Sequence, residues 1–392
     1  MLDVLFCMII FIFGYNLKDR FKEFDAKDKT LLGRMFFYHM AFGVAYYFYI
    51  GGQGGDAEMY WGFPKKFIFS DIWLYYRGSG ASRFVATLNY FPAHILDLSF
   101  FSGFMLYAFM GYIGWIYFYR VLKENVPDFT YLSRYKIFGF SIFPWILFLP
   151  NLHFWSAGIG KDALLFMCCG LFLYAAKNIT KRLIPIFITV ALAAFIRPHI
   201  LLFLISAVGG ATLIDKKVKT PRKVLLFVIF GAALIIMIPY VMDFVKLDSL
   251  DVDSVDAFAS NRAASLSTER SASSVDTSNY PIILKVLTFL YRPLFFDASG
   301  FLGLMASFEN IFLVFFSYKI LRNKPYAAFK KGNLVIKSVF FFFIIGSTAF
   351  SMILGNLGIM LRQKTPFIVA LIIFGFWVLT ESRDFKIAMA KK

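Results

Sequence analysis

Long apolar runs, separated by short basic loops, limit this chain more than any other feature. Ile137–Leu149, Ala163–Ala176, Leu183–Ile196, Ile200–Ile214 and Phe367–Leu379 contain no charged residue. A helix of roughly 20 apolar residues crosses a bilayer, and a shorter one crosses where the bilayer thins or the ends snorkel. Repeated through the sequence, the runs predict an all-α, polytopic integral membrane protein. It would have about 11 transmembrane helices plus interfacial or re-entrant helices, and residues 1–392 would form a single transmembrane domain.

Composition agrees with the runs. The chain is 59% hydrophobic and 17% charged, against about half apolar and about a quarter charged in a soluble protein. Aromatic residues make up 20%, with 52 Phe, which suits lipid contact and interfacial belts. The net charge of +17 does not indicate a nucleic-acid partner, because the Lys and Arg residues are spread over short loops and form no single basic patch. Cys7, Cys168 and Cys169 all fall inside apolar runs, so no disulfide framework or metal spacing is expected. Leu2–Leu17 reads as a retained first span, with no basic segment before it to mark a signal peptide.

Sidedness follows from the basic loops. Lys18, Arg20, Lys22, Lys27 and Lys29 crowd one loop; Lys216, Lys217, Lys219, Arg222 and Lys223 crowd another; Arg322, Lys324, Lys330 and Lys331 a third. Positive charge concentrates on the cytoplasmic side. This places the N-terminus outside, and the tail Arg383–Lys392 in the cytoplasm. The outer segments are then long and polar. Residues 51–100 open with GGQGGDAEMYWGF and continue as two amphipathic pieces, Pro64–Tyr76 and Ala81–Leu98, which suit the membrane interface. Residues 243–298 form a long outer loop with a Ser/Ala-rich middle, Ser254–Asn279, and then a re-entrant or interfacial segment, Pro281–Phe296. No internal repeat is evident, which weakens the case for an inverted-repeat transporter.

The ionisable residues expected at the outer face form a short set. Asp56, Glu58, Arg77 and Arg83 lie in the first outer segment; His153, Lys161 and Asp162, with Trp155 among them, lie in PNLHFWSAGIGKD (Pro150–Asp162). Arg197 and His199 follow in one turn, Arg262, Arg270, Lys285 and Arg292 in the long outer segment, and Arg362 and Lys364 in the last outer turn. Glu309 falls inside a span. Cations outnumber acids on a face that usually carries few, which points to an anionic ligand. Phosphate fits best, since Arg contacts its oxygens in bidentate fashion.

Plainer readings stand beside these. Pro150–Asp162 also fits a tight turn with an aromatic anchor and a self-satisfying ion pair. Arg197 and His199 also fit snorkelling from helix ends, and Arg362 with Lys364 an ordinary solvated turn. Asp56 reads as a turn residue or helix N-cap, or as a general base. Glu309 needs a partner or a cavity; Arg292 is the candidate partner. His153 and His199 are too weak a signal for a metal. No cofactor is expected, and a divalent metal is left open.

The motifs carry a resemblance. Gly-Asp-Ala-x-x-Tyr (Gly55–Tyr60), followed by interfacial helices and a further span, resembles the first outer loop of GT-C-type polyprenyl-phosphate-sugar glycosyltransferases. Pro150–Asp162, Ile-Arg-Pro-His (Ile196–His199), Arg-Pro-Leu-Phe-Phe-Asp-Ala (Arg292–Ala298) and Asn-x-Gly-x-x-x-Arg-x-Lys (Asn356–Lys364) look like bacterial membrane proteins of surface-polysaccharide assembly. Those proteins are similar to O-antigen and exopolysaccharide polymerases. The resemblance implies a GT-C-like fold, a multi-pass protein of the bacterial inner membrane, and a polyprenyl-phosphate- or pyrophosphate-linked sugar donor. It implies membrane lipids and an acceptor glycan as further partners. It carries the role of catalytic base to Asp56 alone. The large soluble C-terminal domain of the better-defined transferases has no counterpart here, which favours a polymerase-like or minimal enzyme. The alternatives are a transporter or flippase of lipid-linked glycan, or a non-catalytic membrane subunit.

Overall fold

The computed structural model describes residues 1–71 and 80–216, scattered positions from 218 to 235, and 274–382 apart from 278. Arg77, Arg262, Arg270 and the tail Arg383–Lys392 therefore lie outside the described residues. Within them the protein is all-α. The sheet seen there is a two-stranded antiparallel hairpin, β1 (Lys136–Ile137) with β2 (Phe140–Ser141).

Among the described residues, three helices are long and apolar enough to cross a membrane: α5 (Phe100–Asn125), α11 (Gly300–Arg322) and α13 (Leu334–Ile353). A fourth arises if α14 (Leu357–Gln363) and α15 (Thr365–Thr380), which meet at 54°, form one broken span. Shorter apolar helices include α8 (Leu183–Ile196), α9 (Pro198–Ile214) and α10 (Ile282–Tyr291). Among the described residues, fewer helices reach spanning length than the about 11 that counting apolar runs at roughly 20 residues each suggests. One run shows why. Ile137–Leu149, expected as a membrane helix, contains β2 and then only the short helical pieces Ile142–Trp145 and Ile146–Phe148. Gly139 takes a left-handed φ of 84°, and Pro144 disfavours a helical conformation at Phe143, which is extended at φ −98° and ψ 134°.

Several helices turn large apolar side chains outward. On α1 (Leu2–Leu17) these include Val4, Leu5, Met8, Ile9 and Ile12; on α11, Phe301, Phe308 and Leu321. A water-facing surface seldom carries such continuous apolar area, whereas lipid accepts it.

The chain divides into two compact units. The first comprises Met1–Tyr119, His153–Phe172 and Arg182–Arg197. Its helix α2 (Ala26–Gln53) starts at a capping box: the Asp25 carboxylate accepts from the Lys27 and Asp28 amides, and the Asp28 carboxylate accepts from the Asp25 amide. The helix stops at Gly54, whose φ of 70° needs no Cβ. Then α3 (Asp56–Gly62) follows at once. Two side-chain contacts hold α3 against the segment beyond α4 (Ala81–Leu88). Asn89 donates to the Tyr60 carbonyl at 3.0 Å, and Trp61 Nε1 donates to the Leu98 carbonyl at 3.2 Å. Phe84 of α4 stacks on Phe195 of α8 with ring centroids 5.0 Å apart. The expected amphipathic piece Ala81–Leu98 is thus α4 followed by a π-helical turn, Tyr90–Ile95. In Pro64–Tyr76, Pro64–Lys66 forms a 3₁₀ turn and residues 72–76 lie outside the described residues.

The second unit comprises Arg120–Leu152, Leu173–Lys181 and Pro198–Lys392. Its helix α13 packs on α9, α10 and α15. Asn333 caps α13 by accepting from the Ile336 amide at 3.0 Å. Asp215, just past α9, pairs with Lys337 of α13 at 3.2 Å, both almost wholly buried. The helix α12 (Pro325–Lys331) joins α11 to α13.

Candidate functional site

In the first unit a row of polar side chains begins at Asp56, the exposed first residue of α3. One helical turn on, the Tyr60 hydroxyl donates to Asp56 Oδ2 at 3.3 Å. The same hydroxyl lies 3.5 Å from Ser82 Oγ of α4. Ser82 Oγ accepts from Lys161 Nζ at 3.0 Å, and that ammonium also sits 5.8 Å from the Tyr60 ring centroid. Lys161 opens α7 (Lys161–Ala175). Its neighbour Asp162 forms an ion pair with Arg197 at 3.1 Å, the side chains only 12% and 16% exposed. Asp162 stands in the first turn of α7, where the helix dipole favours negative charge. Asp56, Lys161, Asp162 and Arg197, remote in sequence, thus gather in one unit. Glu58 is exposed on α3.

The local causes are legible. Gly54 and Gly55, with φ of 70° and 155°, let the chain turn from α2 into α3 and bring Asp56 to the surface. Gly160, with φ of 152°, does the same before Lys161. Tyr60, noted in the sequence only as the end of the Gly55–Tyr60 motif, and Ser82, not noted there at all, complete the row. Tyr60 carries a signal in hindsight, because it follows Asp56 by one helical turn. Ser82 carries none.

His153, expected beside this site, lies in the core of the first unit. Its Nδ1 is 3.0 Å from Nδ1 of His39, and its ring stacks on Trp115 at 4.5 Å. One imidazole nitrogen must donate and the other accept. His39 carried no sequence signal either. Trp155 packs edge-on against Tyr46 and Phe154, with centroids 5.7 Å and 4.9 Å away.

A second cluster forms inside the other unit. Lys364, at the bend between α14 and α15, is buried and donates to the Leu290 carbonyl at 2.8 Å and to Asn310 Oδ1 at 2.7 Å. It also lies 3.4 Å from the Arg292 carbonyl. Asn310 donates in turn to the Pro293 carbonyl at 2.7 Å. Glu309 accepts from the Asn151 amide at 2.9 Å. Arg292 pairs with Asp297, so its partner is not Glu309. Arg292, Glu309 and Lys364 are therefore neighbours, tied mostly through backbone carbonyls and amides. The turn expected as the last outer one is not solvated at Lys364, which is 4% exposed; Arg362 is half-buried. His199 lies against Phe350 and Phe203, with centroids 5.7 Å and 6.0 Å away.

Among the described residues no group of three or more His, Cys, Asp or Glu side chains is arranged to hold a metal ion. No family model matches the chain, and neither the curated proteins nor the solved structures yield a match.

Proposed function

We propose that the chain is a polytopic, GT-C-like membrane glycosyltransferase or polysaccharide polymerase, taking a polyprenyl-phosphate- or pyrophosphate-linked sugar at the outer face of a bacterial inner membrane. The observation that carries this reading is the row Asp56–Tyr60–Ser82–Lys161, with the Asp162–Arg197 pair beside it. It sets an exposed carboxylate near cations, as transfer from a lipid phosphate requires. Asp56 takes the proton from an acceptor hydroxyl as that oxygen bonds to the anomeric carbon. The bond from the anomeric carbon to the phosphate oxygen breaks, and the phosphate leaves with the electron pair. Lys161 stabilises the charge that develops on it, and Arg197 adds positive potential partly offset by Asp162. The motif resemblance at Gly55–Tyr60 supports the same assignment.

The test is transfer by the purified protein in proteoliposomes that hold a polyprenyl-phosphate-linked sugar and an acceptor. Wild-type protein gives product, and Asp56→Asn at equal abundance does not. Full-length product from Asp56→Asn would remove Asp56 from the mechanism.

One observation favours a second reading, movement of a lipid-linked glycan. Glu309, Asn310 and Lys364 place ionisable and amide groups among apolar helices, where such groups often line a path. Their hydrogen bonds to one another's surroundings instead close the cluster, which makes transferase the stronger reading.

A further inference from the structure

From residue 310 to residue 380 the sequence contains no Asp or Glu. Lys319, Arg322, Lys324, Lys330 and Lys331 fall within that stretch, close together. Both neighbours of α12 are membrane-length helices: α11 ends at Arg322, and α13 starts at Leu334. If both cross the bilayer, α12 must lie at its surface.

The segment is held firmly. Lys324, with φ of 54°, turns the chain, and Pro325 opens α12. Ala328 is buried, and its carbonyl accepts from Trp377 Nε1 of α15 at 2.8 Å. Lys331 pairs with Glu381 at 3.4 Å, while Arg322, Lys324 and Lys330 are exposed. Large apolar and aromatic groups stand among them: Leu321 is 70% exposed and Tyr326 69%. Lys330 Nζ lies 4.3 Å from the Tyr326 ring centroid, and an Arg322 guanidinium nitrogen donates to the Tyr318 hydroxyl at 3.1 Å. Exposed aromatics beside cations, in a stretch of sequence without an acid from residue 310 to residue 380, match the headgroup layer of a membrane, whose phosphates supply negative charge.

We infer that the surface formed by Arg322, Lys324, Tyr326 and Lys330 binds anionic phospholipid headgroups. The inference rests on the membrane reading of α11 and α13 and is independent of sugar transfer. The cations are displayed from a docked helix, so the surface needs no folding step before it receives lipid.

The test uses the full chain in nanodiscs of equimolar phosphatidylglycerol and phosphatidylcholine, with retained lipid counted by native mass spectrometry after detergent release. Phosphatidylglycerol is retained preferentially by the wild type. In the triple variant R322Q/K324Q/K330Q the preference falls by about tenfold or more. The charge-conserving pair K324R/K330R keeps it, as does K65Q/K66Q, which removes charge elsewhere. No preference in the wild type, an unchanged triple variant, or an equal loss in K65Q/K66Q would overturn the assignment.

Discussion

The Tyr60 hydroxyl donates to the Asp56 carboxylate across one turn of α3, at 3.3 Å. Because the same hydroxyl also approaches Ser82 Oγ, at 3.5 Å, Tyr60 fixes which way the carboxylate faces. Tyr60→Phe keeps the buried ring and removes the hydroxyl, with its contacts to Asp56 and Ser82. A hydrogen bond of about 1 kcal/mol corresponds to about a fivefold slower transfer. Asp56→Asn removes the base itself and slows transfer by about 100-fold or more. Initial rates of sugar transfer check both values. Equal losses in the two variants would assign Tyr60 a larger part than positioning.

Asp162 and Arg197 are a mostly buried pair, so losing either one removes a close opposite charge from the other. Arg197→Gln alone destabilises the protein by about 3 kcal/mol. Combining it with Asp162→Asn recovers part of that loss, because the buried carboxylate that Arg197 balanced is gone too. Thermal unfolding in detergent of both single variants and the double variant measures the coupling. Strictly additive losses would mean the two side chains act independently.

Much of this was legible in the sequence for a physical reason. Spacing along one chain fixes helices: the apolar runs Leu183–Ile196, Ile200–Ile214 and Phe367–Leu379 fall within the helices Leu183–Ile196, Pro198–Ile214 and Thr365–Thr380. Ile137–Leu149 misled because hydropathy ignores backbone preference, and Gly139 with Pro144 decides the outcome there. The cost of charge near a membrane singled out Lys161, Asp162, Arg197 and Lys364 as candidates to hold or support an anionic ligand; in the structure Lys161 donates to Ser82, Asp162 pairs with Arg197, and Lys364 donates to the Leu290 carbonyl and Asn310. It could not name the partners, since Ser82 and the Leu290 carbonyl are ordinary until the fold brings them near. His153 shows the limit from the other side: a histidine next to an interfacial tryptophan suggested the rim, yet its ring lies against His39 and Trp115 in the core.

Lys364 satisfies the Leu290 carbonyl and Asn310 Oδ1, and reaches the Arg292 carbonyl. Lys364→Met fills similar space but leaves buried acceptors without a donor. The expected cost is about 3 kcal/mol, read as a lower unfolding midpoint. Arg362→Gln, two residues away and half-buried, costs about 1 kcal/mol or less. Similar midpoints for the two variants would show that the Lys364 network contributes little.

Two glycines give effects of opposite sign. Gly111 lies on α5 against the Ser156 backbone carbonyl, and a Cβ built there overlaps it. A backbone oxygen cannot swing aside as a side chain can, so Gly111→Ala forces the α5 contact apart and costs about 1–3 kcal/mol or more. Gly51 lies near the end of α2, and among the described residues nothing stands within 4 Å of a Cβ placed there. Alanine also lowers the backbone entropy of the unfolded chain, so Gly51→Ala stabilises the protein by about 0.5–1 kcal/mol. Unfolding midpoints measured side by side in one detergent separate the two cases. If Gly111→Ala matched wild type, the tight approach of α5 to the Ser156 carbonyl would be wrong, and with it the close packing that sets the first unit's core.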